Sequence, residues 1–210
     1  MTMTSTILPK TLFEIGGATP RAASLAESVL VLIDAQNEYV SGKLPLKGIG
    51  AAIAEASRLI ALVRAAGTPV IHVVHHAAPD RPAFALGSHG ALIVPELTPL
   101  PSEEVIEKAL PNAFAGTRLA ESLERYEAAG RKSLILAGFM THNCVSSTAR
   151  AALDLGILAT IVANATATRD LPDVRGGVIA AEIVQAAALA ELADRSAVIV
   201  RDSGAFAARA

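Results

Sequence analysis

The chain has 210 residues, 52% apolar and only 3% aromatic, with a net charge of −2. That length suits one domain with a sizeable core. It has no lysine/arginine block, no aromatic–basic interleaving and no apolar run near the ~18 residues of a bilayer span, which argues against nucleic-acid and membrane partners.

In chain order, residues 1–27 show no clear periodicity and read as an irregular N-terminal leader, with the domain proper over 28–210. SVLVLIDA (28–35) is an apolar run ending in an acid. A helical pattern, AAIAEASRLIALVRAAG (51–67), follows it, and its final glycine fits a C-cap. PVIHVVHH (69–76) is the second strand. Residues 77–102, rich in Pro and Gly, read as a long excursion over the active edge. EEVIEK (103–108) is a third strand, with a helix over 115–129. SLILAG (133–138) is the fourth, with a helix over 143–155. ATIVANA (159–165) and SAVIVRD (196–202) complete the set, around a helix over 175–194. Strands alternating with helices, each strand almost wholly apolar, predict an α/β fold. The expected architecture is a single-domain, Rossmann-like three-layer αβα with a parallel six-stranded sheet.

In open α/β sheets, ligands bind outside the carboxyl ends of the strands. Reactive side chains cluster at those ends here: Asp34 on the first strand, His75 and His76 on the second, Lys108 on the third and Cys144 after the fourth. Cys144 is the chain's single cysteine, so no internal disulfide forms. With an N-terminus that lacks an apolar signal core, this sets the expectation of a cytoplasmic protein. At a helix start, unsatisfied N–H groups and the dipole favour a thiolate with a lowered pKa. The plain alternative is a small buried apolar residue. Asp34 reads either as a turn cap or as a desolvated carboxylate able to take a thiol proton. Lys108 alone reads as an ordinary solvated lysine.

Together, Asp34, Lys108 and Cys144 resemble the isochorismatase-like cysteine hydrolase superfamily, which includes nicotinamidases, N-carbamoylsarcosine amidohydrolases, ureidoacrylate hydrolases and biuret hydrolases. Four segments carry the likeness: LVLIDAQNEYV, EKALPNAFAGTRL, LAGFMTHNCVSSTARAALDLG and TIVANATATRDLP. It covers roughly residues 28–202.

The resemblance implies a cysteine amidohydrolase acting on a C–N bond of a small amide or ureido compound. Asp34 takes the Cys144 proton, the thiolate attacks the carbonyl, and Lys108 orients Asp34. The oxyanion sits on the N–H groups of Met140 and Cys144, after a cis peptide at Phe139–Met140. Gln36, Tyr39, His76, Phe114 and His142 are the expected substrate-side residues. His142 has a second reading, as a hydrogen bond within its own loop. The resemblance also implies a homo-oligomer, a dimer or tetramer. KLPLKGIG after the first strand lacks the Asp-x-His half of the nicotinamidase metal site. On a strand, His72 and His76 share one face and His75 takes the other. No metal or other cofactor is therefore expected, and His72 reads as a core histidine. Lys43, Arg81 and Arg169 are candidate partners for a carboxylate-bearing substrate. Vinyl-ether hydrolysis with Asp34 as acid, a non-catalytic scaffold and a redox role for the thiol are the competing readings.

Overall fold

A computed structural model describes residues 8–207. Residues 1–7 of the expected leader and 208–210 of the expected domain lie outside them. The strands are β1 (Ser28–Ile33), β2 (Val70–His75), β3 (Glu104–Lys108), β4 (Ser133–Phe139), β5 (Ala159–Ala167), β6 (Leu171–Pro172), β7 (Val178–Ile179) and β8 (Ala197–Val200). The helices are α1 (Leu12–Ile15), α2 (Ile49–Ala65), α3 (Leu119–Glu127), α4 (Ser146–Asp154), α5 (Ala181–Arg195) and α6 (Gly204–Ala207).

Six strands form one sheet in the order β3-β2-β1-β4-β5-β8, all neighbours parallel. This is the Rossmann-like sheet the apolar runs predict, and its switch point lies between β1 and β4. Period two divides the core. Leu30 and Leu32 face α2 through Leu59 and Ala56, while Val29, Val31 and Ile33 face Leu119, Ala149 and Leu192 of α3, α4 and α5. Both faces are covered, so β1 is buried along its whole length and β4 from its second residue onward. No helix among the described residues is long and apolar enough to cross a membrane.

Several boundaries differ from expectation. β1 stops at Ile33, because Asp34 turns the chain with φ 48. The helix expected over 143–155 begins as a π-turn, Thr141–Val145, and becomes α-helical only at Ser146. The helix expected from 175 starts at Ala181, because 171–179 folds into an antiparallel β6–β7 ribbon. The leader is not irregular throughout. Thr11 and Glu14 form a capping box on α1. Phe13 is buried under Arg195 of α5, and Asp194 accepts a hydrogen bond from the Leu12 N–H.

Candidate active site

Asp34 follows β1 at the switch point. Its N–H continues the ladder to the Val73 carbonyl at 2.8 Å, and its positive φ then aims the side chain across the strand ends. Gly138 of β4 makes that corner possible: a Cβ there would fall 1.9 Å from the Ile33 carbonyl oxygen. Only glycine fits so close a backbone approach.

Lys108, the last residue of β3, reaches past β2. Its Nζ lies 2.7 Å from Asp34 Oδ2 and 3.4 Å from Cys144 Sγ. Both side chains of the ion pair are fully buried, and Cys144 is 5% exposed. Among the described residues, neither Asp34 oxygen meets a donor in good hydrogen-bond alignment. Burial raises the Asp34 pKa, opposed by Lys108 and then Cys144.

The thiol corrects an expectation. A helix start was expected to favour thiolate, yet burial and then the Asp34 charge push Cys144 up to about 12, against the opposing pull of Lys108. Desolvation and a neighbouring carboxylate set the direction, and Cys144 sits in a π-turn rather than at an α-helical first turn. The resting sulfur is a thiol close to a buried carboxylate. Such π segments recur at functional sites. The Phe139–Met140 peptide is cis, and the Met140 carbonyl accepts hydrogen bonds from Asn143 and Val145.

The expected substrate-side residues separate. Gln36 is not available to a substrate as a donor. Its amide gives both hydrogens, to the His75 and Ala91 carbonyls, and its oxygen accepts the His75 N–H. It fastens β1 to β2 and to the excursion. Tyr39 is buried, edge-on to Phe84 and Phe139, and burial raises its pKa. Phe114 packs on the cluster that contains Cys144. His76 meets Glu107 at 3.3 Å in poor hydrogen-bond alignment, and lies within electrostatic reach of Asp34. His142 hydrogen-bonds Thr168, just past the end of β5 and outside its own loop, a contact that neither of its two readings names, and burial lowers its pKa.

His75, which the sequence marks only as a reactive residue at the end of the second strand, has its Nδ1 3.4 Å from Lys108 Nζ. Burial, then Lys108, lowers its pKa to about 4, so the ring is neutral beside the ammonium. His72 bonds Glu103 at 2.9 Å in the core. Lys43 and Arg81 are exposed. Arg169 is half-buried, with Nε shielded and without a hydrogen-bond partner among the described residues. Its charge reaches Tyr39 and His142. A cleft of about 510 Å³ between α2, β5 and α5 contains none of Asp34, Lys108 and Cys144.

The isochorismatase domain model matches residues 28–201, the whole stretch that carries the sheet and the Asp34–Lys108–Cys144 cluster. The chain belongs to the isochorismatase family. It is 43% identical over 178 residues to a secreted isochorismatase effector of Verticillium dahliae, covering 85% of this chain and 90% of that one. The crystal structure of an isochorismatase from Pseudomonas putida KT2440 superposes with a TM-score of 0.89 at 39% identity, covering 95% of this chain and 100% of that one. A maleamate amidohydrolase of Pseudomonas putida is 30% identical, over 67% of this chain and 72% of its own. Relatives also include streptothricin hydrolase, ureidoacrylate amidohydrolases and an N-carbamoylsarcosine amidase. Hydrolases and amidohydrolases thus recur among the family members similar to this chain.

Proposed function

We propose that this isochorismatase-family protein hydrolyses a C–N amide bond of a small amide or ureido compound through a Cys144 thioester. The observation that carries this is the 3.4 Å contact between Lys108 Nζ and Cys144 Sγ, beside an Asp34 whose basicity burial raises. A thiol at about 12 is a poor nucleophile unless a neighbouring base takes its proton as the bond forms.

In this mechanism the S–H proton passes to Asp34 as Sγ attacks the carbonyl carbon. Negative charge develops on the carbonyl oxygen, which the N–H groups of Met140 and Cys144 receive. Lys108 holds the Asp34 carboxylate in place and compensates charge on both sides. Asp34 then returns the proton to the departing nitrogen as the C–N bond breaks. Water attacks the thioester, Asp34 takes a proton from it, and the thiol leaves reprotonated. Tyr39 and Phe114 wall the acyl group. Arg169 takes an anionic end of the substrate. No step in this scheme calls on a metal.

A second reading is favoured by the raised Asp34 pKa: a protonated Asp34 acting as acid in vinyl-ether hydrolysis. The two separate on Cys144→Ala. Amide turnover is expected to vanish in that variant, whereas vinyl-ether turnover survives it and vanishes only in Asp34→Asn. We further propose a homo-oligomer and an intracellular setting that keeps the thiol reduced. Sedimentation and cell fractionation test these, and export of the mature chain would contradict the second.

A further inference from the structure

Glu38 is a buried carboxylate that the proposed chemistry does not use. It sits on the 3₁₀ turn Asn37–Tyr39, just after Asp34, and is 3% exposed. Its Oε1 accepts the Lys43 N–H at 2.5 Å and its Oε2 accepts the Phe84 N–H at 3.2 Å. A carboxylate this buried needs such partners, since an unpaired one is costly. Gly90 lies against it so tightly that an added Cβ would fall 2.1 Å from Oε2.

Phe84 is the second anomaly. It is a bulky residue at φ 55, a left-handed conformation that persists only where the surroundings enforce it. Three contacts do so. Glu38 takes its N–H, its carbonyl accepts the Ala77 N–H, and its ring packs edge-on against both Tyr39 and His75, at 5.2 and 5.0 Å. His75 in turn touches Lys108, which touches Cys144. Phe84 therefore stands three contacts from the sulfur, through His75 and Lys108.

We propose that Phe84, latched by the carboxylate of Glu38, is the specificity-determining wall of the site and admits only slender, compact acyl groups to Cys144. Glu38 is a positioning residue that acts through Phe84. The substrate class is thereby narrowed to small unbranched amides and ureido compounds, which rests on the amidohydrolase reading above. The latch itself is testable without turnover, because Cys144 is the only cysteine in the chain.

The experiment alkylates Cys144 in the full-length protein with iodoacetamide and, separately, with N-phenylmaleimide, and reads the ratio of the two rates. Wild type is expected to favour the small reagent. Phe84→Ala is expected to raise the relative rate of the bulky one about tenfold or more, the scale on which a pocket discriminates by size. Glu38→Gln is expected to move the ratio the same way by less, and Glu38→Asp to restore part of it. Phe13→Ala, which loosens α1 against α5 away from both core clusters, controls for general destabilisation. An unchanged ratio in Phe84→Ala, or an equal change in Phe13→Ala, overturns the latch. Failure of amide turnover in wild type, with the ratio behaving as stated, would instead overturn the amidohydrolase reading and leave the latch standing.

Discussion

Lys108 and Asp34 form a fully buried ion pair at 2.7 Å, although the strands that carry them, β3 and β1, are not neighbours. The lysine spans the intervening β2, so the pair ties the edge of the sheet to its switch point. Removing one member leaves the other charge buried and unpaired. Lys108→Met is expected to lose about 3–5 kcal/mol of stability, the usual cost of breaking such a pair. The double variant Asp34→Asn/Lys108→Met is expected to recover much of that loss in urea unfolding. Additive losses would mean that the pair is not coupled.

Thiol ionisation gives a second test. Burial and then Asp34 push Cys144 to about 12, well above a free thiol near ~8.5. The pH profile of iodoacetamide reaction is expected to lack the free-thiol step. Asp34→Asn removes the second cause, so its profile is expected to shift to lower pH. A shift to higher pH would show Asp34 acting only as a proton acceptor, with no through-space charge effect.

Acid stability follows from Glu103 and His75. Burial pushes Glu103 up, but Arg64, the Leu100 N–H and His72 overcome it and hold it at about 2. A carboxylate depressed in the folded state contributes stability above its ordinary pKa and loses it as pH falls towards 2. His75, lowered to about 4, acts in the same direction. The unfolded chain protonates it first as pH falls from its ordinary 6.5, so stability is expected to decline from there to about 4. Glu103→Gln should flatten the slope of unfolding free energy against pH below the ordinary Glu range. An unchanged slope would contradict the assignment.

Gly90 has no room for a side chain beside Glu38. Gly90→Ala is expected to cost about 1–3 kcal/mol, as overpacking does. A thermal melt unchanged from wild type would show that the loop yields there.

Arg169→Ala is expected to raise KM for a carboxylate-bearing amide about tenfold or more, the loss of one charge-assisted hydrogen bond. KM for an uncharged amide should stay within a small factor. Equal effects on both would remove Arg169 from substrate recognition.

The sheet was legible because each strand is an apolar run of the right length, and Asp34, Lys108 and Cys144 were legible because they sit where those runs stop. The rest depended on long-range contacts that no local pattern carries. Gln36 reads as a site residue until the His75 and Ala91 carbonyls, 39 and 55 residues away, are seen to consume its amide hydrogens. Glu38 and Phe84 are separated by 46 residues, and the strain at Phe84 has no sequence signature. The thiol's pKa was misjudged in sign because helix position was visible in sequence and the depth of burial was not. The β6–β7 ribbon, with two residues in each strand, is too short for periodicity to register.

The most direct test of the central claim is intact mass spectrometry of the protein quenched during turnover, over a panel of ureido acids, maleamate, biuret and other small amides, with ammonia release followed in parallel. The expected result is ammonia release from at least one compound, with a transient acyl adduct on Cys144, and neither signal in Cys144→Ala. Ammonia release that survives Cys144→Ala, or turnover with no acyl adduct under acid quench in either wild type or a slowed Asp34→Asn variant, would contradict the thioester mechanism.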